Sequence, residues 1–308
     1  MITLRIKRVY VCQLNRLHRC LYNFFSKNKS CFPNLYDRYR YFYLSGGEKL
    51  NWKNPIKLNE KLFWLNRYWQ SNDKINCADK VLMHSYLKRK QLNFLSVPII
   101  GIWENAKNID FDILPNKFVL KANHGCGFNI ICTDKRSLNI EKTIYQLNEW
   151  LKVDYGAISN ERHYSRIKPM ILCEEYLSDE SGVQIKDYKV YCINGKVEYI
   201  LICSERNIYG DDAKYNTYSD KWEELDYILD NEKGELENKP DFLEDLINYS
   251  SILSEHFPFV RLDYYYVDGK LYLGEFTFTP QGNFITYKSE WIQYFLGNKL
   301  VLPRKGIK

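Results

Sequence analysis

Four polar residues near the C-terminus have types and spacing that suit metal-dependent phosphate chemistry. Arg261 and Asp263 alternate with apolar residues along one segment, and Glu275 and Thr277 do so along the next. Both segments are rich in β-branched and aromatic residues, and an Asp-Gly pair separates them, which predicts a β-hairpin. Carboxylates held side by side repel each other unless a cation lies between them, and Mg²⁺ is usually held by one or two carboxylates plus substrate phosphates. The pattern predicts a Mg²⁺ site. The alternative is a half-solvated strand pair whose acids contact basic neighbours.

The length of the hairpin loop decides whether the two acids face the same way. A two-residue turn at Asp268-Gly269 pairs Asp263 with Gly274 and places the two carboxylates on opposite faces. A three-residue loop over residues 267–269 shifts the register by one residue, and a one-residue bulge at Gly274 has the same effect. In the shifted register one face is entirely apolar and the other carries the polar residues, so we expect the three-residue loop.

A lysine before a glycine-containing loop is a second candidate for binding phosphate. Lys121 ends a predicted strand, and His124, Gly125 and Gly127 follow in the loop. The glycines let backbone amides approach an anion closely, and the lysine adds positive charge. No Gly-Lys-Ser/Thr triplet follows, so this is not a Walker sequence, and an ordinary hairpin loop is the alternative.

Acidic residues also stand at the ends of two other predicted strands. Glu174 and Glu175 end one strand, and Asp187 begins another. A carboxylate buried at a strand end needs hydrogen bonds, which an adenine amino group, ribose hydroxyls or water would supply.

The elements that must position these residues do not follow the regular strand–helix order of a parallel sheet. Helices are predicted within residues 51–70, at Cys77–Lys90 with a cap around Asp79, and at Ile140–Val153 and Leu243–His256. Strands are predicted at Ile99–Trp103, on both sides of the glycine loop, at Met170–Leu177 and in a hairpin around Asn194-Gly195. This order predicts an α+β fold with mostly antiparallel strands.

Composition and charge narrow the functional classes. The 308 residues are 45% hydrophobic, enough to bury a core, and the formal net charge is +6. Residues 1–26 place apolar side chains at helical spacing among basic ones, which predicts a basic amphipathic helix. Such a helix lies on an anionic membrane or, alternatively, packs on its own domain. No recognised nucleic-acid module accompanies the charge, so we expect no nucleic-acid partner.

The cysteines and the lack of long apolar runs indicate in which cellular compartment the protein is expected. Nine scattered cysteines form no Cys-x-x-Cys pair, which indicates reduced thiols. No run of about 18 apolar residues is present, and the N-terminus lacks the apolar core of a signal peptide. We therefore expect a cytoplasmic protein, peripheral at the inner face of the membrane if residues 1–26 bind lipid.

Together and in this order, the motifs resemble the ATP-grasp superfamily. They resemble most closely its TupA-like branch, found among proteins of bacterial capsule, teichuronopeptide and lipopolysaccharide biosynthesis. The resemblance covers roughly residues 50–302 and lies in FVLKANHGCGFNI, EEYL, DYKVYCINGK and FPFVRLDYYYVDGKLYLGEFTFTP. It implies two α+β subdomains with mostly antiparallel sheets that grip ATP between them, preceded by a basic N-terminal helical segment. The implied division is a basic amphipathic segment at 1–50, an N-terminal α/β portion at 51–115, a small lid subdomain at 116–178 and a core subdomain with the metal site at 179–308.

The resemblance also implies a role for each matching residue. The implied ATP-binding residues are Lys80, Lys121, His124, Gly125, Gly127, Glu174, Glu175, Tyr176, Leu177 and Asp187. Within this set the two lysines bind phosphates, the loop from His124 closes over the γ-phosphate, residues 174–177 form the hinge at adenine, and Asp187 binds ribose. The implied Mg²⁺ ligands, for one or two ions, are Asp263, Glu275 and Thr277, the last standing where the wider superfamily has Asn. The implied catalytic residues are Arg261 and Lys121.

The function implied is an ATP-dependent carboxylate–amine ligase that works through an acyl phosphate. Its expected partners are a small-molecule amine and a carboxylate-bearing sugar or glycan precursor, so that an amino acid is attached to a surface polysaccharide or its precursor. One alternative is a glycosyltransferase of capsule or lipopolysaccharide biosynthesis, a class that typically presents Asp-x-Asp in a loop after a parallel strand. The other is a non-catalytic ATP-binding protein docked on a membrane.

Overall fold

Two antiparallel sheets organise the part of the chain that the computed structural model describes, which is residues 24, 27, 31, 33–178, 185–204, 214–229 and 233–304. The first has the strand order β1-β4-β2-β3 and comprises β1 (Ile99–Trp103), β2 (Phe118–Ala122), β3 (Asn129–Cys132) and β4 (Ile171–Glu175). The second has the order β7-β6-β5-β8-β9 and comprises β5 (Asp187–Ile193), β6 (Lys196–Ser204), β7 (Lys214–Tyr218), β8 (Phe259–Val267) and β9 (Lys270–Thr277). Every strand pair in these two sheets is antiparallel, which confirms the predicted α+β class.

The helices of the described residues pack on these sheets. They are α1 (Pro33–Leu44), α2 (Leu58–Tyr68), α3 (Asn72–Ala78), α4 (Met83–Arg89), α5 (Ile140–Leu151), α6 (Tyr155–Ser159), α7 (Leu243–Ser254) and α8 (Glu290–Lys299). Helix α5 begins after Asn139, whose side chain accepts a hydrogen bond from the Lys142 amide, as an N-cap residue does. The predicted amphipathic helix at 1–26 lies, apart from Phe24, outside the described residues.

The helix predicted at Cys77–Lys90 is interrupted, because the chain breaks at Asp79 into α3 and α4, but the predicted cap around Asp79 is present. The Asp79 carboxylate accepts hydrogen bonds from the amides of Val81 (2.8 Å) and Leu82 (3.3 Å). An Asp side chain that bonds the backbone just ahead of it competes with helical hydrogen bonding. Asn123 also donates to this carboxylate (2.9 Å), so the break holds the segment around Lys80 against the glycine loop.

Two hydrophobic cores lie on the two sheets. The larger core joins the five-stranded sheet to α2, α3, α4, α7 and α8, and the smaller joins the four-stranded sheet to α5. The predicted N-terminal portion at 51–115 thus contributes helices to the larger core and strand β1 to the smaller sheet. Among the described residues, no helix combines the length and apolar character needed to cross a membrane.

Candidate active site

The β8–β9 hairpin places Asp263 directly opposite Glu275. Its turn has two residues, since Val267 pairs with Lys270, so the three-residue loop that we expected is wrong. Asp268 and Gly269 both adopt positive φ (49° and 76°), as the favoured two-residue hairpin turn requires. The shift in register arises instead further along β9, where Gly274 forms a one-residue bulge between the pairs made by Leu273 and Glu275.

Close packing at the bulge requires a glycine. A Cβ atom on Gly274 would lie 2.6 Å from Cε2 of the Tyr265 ring and 3.4 Å from the backbone oxygen of Asp263. The first separation is too short for any real contact, so the half-buried Tyr265 ring would have to shift. The missing side chain therefore allows the bulge, and the bulge brings the two acids opposite each other.

The four polar residues predicted on this hairpin form one hydrogen-bonded network. Arg261 contacts Asp263 with both Nε (2.6 Å to Oδ1) and Nη2 (2.6 Å to Oδ2). The same Nη2 lies 3.2 Å from Oγ1 of Thr277 and 3.5 Å from Oε1 of Glu275. The Thr277 hydroxyl donates to Glu275 Oε1 at 2.7 Å. The structure thus brings together the residues predicted to bind the metal and the cation predicted to act beside them.

Lys189 on β5 extends this network to a third carboxylate. Its Nζ lies 3.2 Å from Asp263 Oδ2 and 3.0 Å from Asp187 Oδ2. Asp187, predicted to bind ribose, is therefore linked through Lys189 to Asp263, one of the two carboxylates predicted to bind the metal. The cluster contains three carboxylates, from Asp187, Asp263 and Glu275, against the two cations Lys189 and Arg261. Its net charge is negative, which favours binding of a further cation.

The two cations control the protonation of the buried acid. The Asp263 side chain is only 5% exposed. Burial alone raises the pKa of Asp263, but the charges of Arg261 and Lys189 outweigh it and hold the pKa below its usual value. Burial likewise lowers the pKa of Lys189, and the charges of Asp263 and Asp187 more than reverse this effect. Asp263, Lys189 and Arg261 therefore stay charged near neutral pH.

The donor atoms fit Mg²⁺. Asp263, Glu275 and Thr277 offer hard oxygen atoms from facing positions of one hairpin, and neither Cys nor His belongs to the network. The described residues contain no group of three or more His, Cys, Asp or Glu side chains arranged to hold a metal ion. Two carboxylates are the usual protein contribution when Mg²⁺ keeps waters and binds substrate phosphates.

Lys121 and Glu174, predicted to contact phosphate and adenine, lie on neighbouring strands of the four-stranded sheet and form an ion pair with each other. The Glu174 side chain is 3% exposed, whereas Lys121 is 19% exposed and reaches solvent. His84 on α4 belongs to the same group: burial lowers its pKa, Glu174 raises it and Lys121 lowers it. A nucleotide phosphate at this edge would therefore compete with Glu174 for the lysine.

The other residues predicted to form the hinge lie at the end of β4 and directly after it. Glu175 is exposed, and its amide donates to the Pro98 carbonyl (3.0 Å). Tyr176 and Leu177 are half-buried, and the Nζ of Lys117 lies 6.0 Å from the centre of the Tyr176 ring. These residues stand where the chain leaves the four-stranded sheet for the five-stranded one.

The glycine loop is tied to Lys80 and to the core. Lys80 Nζ donates to the Gly125 carbonyl at 2.6 Å. His124 is buried, with its ring nitrogens 3.3 Å from Asn123 Oδ1 and 3.1 Å from the Val153 carbonyl, and burial lowers its pKa. His124 thus anchors the base of the loop, while Gly127 adopts a φ of +77° with open space around it.

The tip of this loop lies near Glu275. Burial raises the pKa of the Cys126 thiol, and the charge of Glu275 is the next cause of the shift. Burial raises the pKa of Tyr155, with Glu161 and Glu275 acting in the same direction, and the Tyr155 ring approaches Gly125 so closely that a Cβ there would lie 2.8 Å from it. The loop therefore spans from Lys80 towards the carboxylates.

Three residues of this region were missed by sequence reasoning. Lys189 could have been found, because it stands two positions after Asp187 on one strand and so shares its face. Glu161 accepts a hydrogen bond from the Thr279 hydroxyl, and burial raises its pKa, with Glu275 acting in the same direction. Glu161 and His84 belong to no periodic pattern, so no sequence signal pointed to them.

An Asp-x-Asp triplet does occur, at Asp110-Phe111-Asp112. Phe111 is buried, and the Asp112 amide donates to Asp110 Oδ1 (3.0 Å) within a local turn. The triplet follows no parallel strand in the described sheets, so it lacks the setting that a nucleotide-sugar transferase provides.

Comparison with solved structures gives similarities to proteins named as ligases. D-alanine–D-alanine ligase from Bacillus anthracis is 17% identical with a TM-score of 0.41, and the match covers 65% of this chain and 56% of that one. Phosphoribosylamine–glycine ligase from Thermotoga maritima is 14% identical with a TM-score of 0.39, covering 69% and 51%. The ATP-grasp ligase PsnB with its minimal precursor is 13% identical with a TM-score of 0.38, covering 70% and 60%. This chain thus spans little more than half the length of these structures. No curated protein matches it.

The sequence model of the family described as TupA-like ATPgrasp matches residues 60–301, which is most of the chain. This match confirms the family that the four motifs predicted, and with it the ATP-grasp fold. ATP and Mg²⁺, the predicted cofactors, are those that ATP-grasp ligases use. The chain belongs to the TupA-like ATP-grasp family.

Proposed function

We propose that the chain is an ATP-dependent ligase that joins a carboxylate to an amine through an acyl phosphate. The observation that carries this proposal is the pairing of Asp263 with Glu275 across β8 and β9, with Arg261 in contact with both. Two facing carboxylates with an adjacent guanidinium suit the transfer of a phosphoryl group, whose negative charge must be neutralised as it moves.

The chain's own residues would divide the work as follows. Lys121 and Lys80 would bind the ATP phosphates, and Asp263 and Glu275, with Thr277 beside them, would hold Mg²⁺. When bound, the metal ion would neutralise charge on the phosphates. Arg261 would donate to the transferred phosphoryl group, and its contact with Asp263 keeps the guanidinium in a fixed orientation.

The flexible parts of the site would bind the rest of the nucleotide. We propose that His124, Gly125 and Gly127 belong to the loop that closes over the γ-phosphate, with His124 as its fixed base. Glu174, Glu175, Tyr176 and Leu177 would hold adenine. Asp187 would bind ribose while it keeps its contact with Lys189, which also contacts Asp263.

The reaction would proceed in two steps. A carboxylate oxygen of the acceptor attacks the γ-phosphorus of ATP, which releases ADP and forms an acyl phosphate. The amine nitrogen then attacks the acyl carbon, loses a proton and expels phosphate, which leaves an amide. The protein forms no covalent bond with the substrate at either step, so none of the nine cysteines is needed as a nucleophile.

The finer proposal concerns the substrates. We propose that the amine belongs to an amino acid and the carboxylate to a surface polysaccharide or its precursor, in keeping with the motifs that this chain shares with capsule and lipopolysaccharide proteins. The reaction would take place in the cytoplasm, at the inner face of the membrane if residues 1–26 bind anionic lipid. A chain lacking residues 1–26 but keeping α1 should then stay folded and no longer sediment with anionic vesicles, and vesicle binding that survives would contradict this part.

The test is a screen of sugar acids and amino acids with ATP and Mg²⁺, read by ADP release and by mass spectrometry of the adduct. Hydroxylamine in a parallel screen would trap an acyl phosphate as a hydroxamate without the correct amine. Glu275→Gln should abolish both signals, and Glu149→Gln, which changes an exposed acid on α5, should change neither. Sugar transfer from a nucleotide sugar without ADP release, or undiminished ligation by Glu275→Gln, would overturn the proposal.

A further inference from the structure

Three arginines from separate segments surround one buried carboxylate beside the candidate active site. Asp37 and Arg40 lie on α1, Arg67 lies on α2, and Arg162 follows α6. The Asp37 side chain is buried and accepts a hydrogen bond from Asn160 (2.5 Å), while the charges of all three guanidinium groups act on it. We call these three residues the arginine cluster.

The arginine cluster contains donors that nothing in the described chain accepts. Nη1 of Arg67 and both Nε and Nη2 of Arg162 are buried without a hydrogen-bond partner among the described residues, and so is the acceptor Oδ2 of Asp37. Within the same residues, no arginine of the cluster lies within ion-pair distance of a carboxylate. Burying an unpaired charged donor is costly, so its presence in a folded protein calls for a missing partner.

Other contacts satisfy only some of the hydrogen-bond donors of the arginine cluster. Arg40 donates to the backbone oxygens of Gln281 (3.3 Å) and Gly282. Arg67 lies over the rings of Trp52 (5.6 Å) and Tyr68 (5.4 Å). These contacts accept hydrogen bonds or stack, but none cancels the positive charge.

Asp37 and Glu161, the two acids near the arginine cluster, do not neutralise its three charges. Burial raises the pKa of Asp37 to about 6 although the three guanidinium groups lower it. Burial also lowers the pKa of Arg162, and the charge of Arg67 lowers it further. Arg40 also acts on the Glu161 carboxylate, so three guanidinium groups face two acids and at least one positive charge remains, which attracts an oxyanion such as a phosphate or a carboxylate.

The cluster lies next to the residues proposed to hold the metal. Glu161, the neighbour of Arg162, accepts a hydrogen bond from Thr279, two residues beyond Thr277 at the end of β9. On the same side, Arg40 is packed so closely on the following turn that a Cβ on Gly282 would lie 2.5 Å from its Nη2. A substrate whose reacting carboxylate lay at Glu275 could therefore extend towards the arginines.

We infer that the arginine cluster binds an oxyanion of the acceptor substrate, a phosphate or a second carboxylate, distinct from the carboxylate that is activated. This inference rests on the proposed ligase function. Guanidinium groups present paired N–H donors that match the geometry of both oxyanions. The partial exposure of Arg67 and Arg162 leaves an approach from solvent. The acceptor would thus be a substrate with at least two acidic groups.

The test uses inorganic phosphate and malonate as probes and needs no turnover. Thermal unfolding is followed while either anion replaces chloride at constant ionic strength. Phosphate, malonate or both should raise the Tm of the wild-type protein, and the more effective anion identifies the group. The same rise should persist in Lys121→Ala, which changes the nucleotide site, and in Arg136→Met, which removes an exposed arginine already paired with Asp134.

Arg162→Met and Arg67→Met keep the apolar stems and remove the donors. Each should weaken anion binding at least tenfold and leave the Tm without anion equal to that of the wild type or higher. An unshifted wild-type Tm with both anions, an undiminished rise in Arg162→Met, or unfolding of both variants in anion-free buffer would overturn the inference. None of these results depends on ATP, so absence of ligase activity would refute the proposed function and leave the anion site standing.

Discussion

Asp263 and Glu275 face each other, but their removal should affect stability very differently. The prediction compares Asp263→Asn with Glu275→Gln, two substitutions that each remove one negative charge and keep the shape of the side chain. Both should abolish Mg²⁺-dependent phosphoryl transfer. Relief of repulsion between the acids should leave Glu275→Gln as stable as the wild type or slightly more stable, whereas Asp263→Asn should be strongly destabilising.

The magnitude follows from the partners of each acid. Asp263 is 5% exposed and accepts from Arg261 twice at 2.6 Å and from Lys189 at 3.2 Å. Removing one member of a buried ion pair costs roughly 3–5 kcal/mol, because the remaining charges stay buried. At about 2–4 °C per kcal/mol this predicts a Tm lowered by about 10 °C.

Glu275 has weaker partners, so its replacement costs little. Its side chain is 31% exposed, and its closest approach to Arg261 is 3.5 Å. Ion pairs of this exposure contribute about 1 kcal/mol or less. Glutamine also keeps an oxygen that accepts from the Thr277 hydroxyl.

Thermal and urea unfolding over a range of acidic pH would measure the difference. The folded-state pKa of Asp263 is lowered, so its contribution is present above the ordinary carboxyl value of 3.8 and is lost as the pH falls through the folded value. The wild type should lose this stability in acid, and Asp263→Asn should show a smaller loss over the same range. Equal Tm values for the two variants at pH 7, or a wild-type acid response retained by Asp263→Asn, would refute the reasoning.

Three further substitutions test separate parts of the structure. Lys121→Ala should weaken ATP binding by roughly 1.5–3 kcal/mol through loss of a charged phosphate contact, and unchanged affinity by calorimetry would contradict the phosphate assignment. Gly274→Ala should lower stability by about 1–3 kcal/mol, since its Cβ meets the Tyr265 ring, and a Tm like that of the wild type would show that the bulge tolerates a side chain. Burial lowers the pKa of Lys74 from 10.5 to about 7. At pH values between these two, Lys74 therefore carries a proton in the unfolded chain but not in the folded protein. Wild-type stability should rise over that pH window by up to roughly 5 kcal/mol, and Lys74→Met should abolish the rise in urea titrations.

The polar face of the hairpin could be predicted because it depends on a local property. Arg261, Asp263, Glu275 and Thr277 alternate with large apolar residues, and only one set can face the core. Sheet order is different, because it depends on contacts between distant segments. Lys189 reaches Asp263 since β5 lies beside β8, and no pattern within either strand specifies that neighbour.

The arginine cluster also depends on contacts between distant segments, and the sequence indicates it even less than it indicates the order of the strands. Its members come from α1, α2 and the segment after α6, and none of them stands in a motif of the sequence. Each would pass as a solvated cation on the surface of a helix. Only the packing of these segments together reveals that donors of Arg67 and Arg162 are buried without acceptors.

The pattern of apolar and polar faces predicts that Asp263 and Glu275 lie on the same face of the hairpin. It does not predict whether the loop or a bulge shifts the register. The three-residue loop and the bulge give the same separation of apolar and polar faces, so the facial pattern cannot distinguish them. Two other signals in the sequence do distinguish them. An Asp-Gly pair strongly favours a two-residue turn, and a glycine inside a strand favours a bulge. Taken together they favour an extra residue at Gly274 over one in the turn, because this solution uses each glycine where its missing side chain is needed.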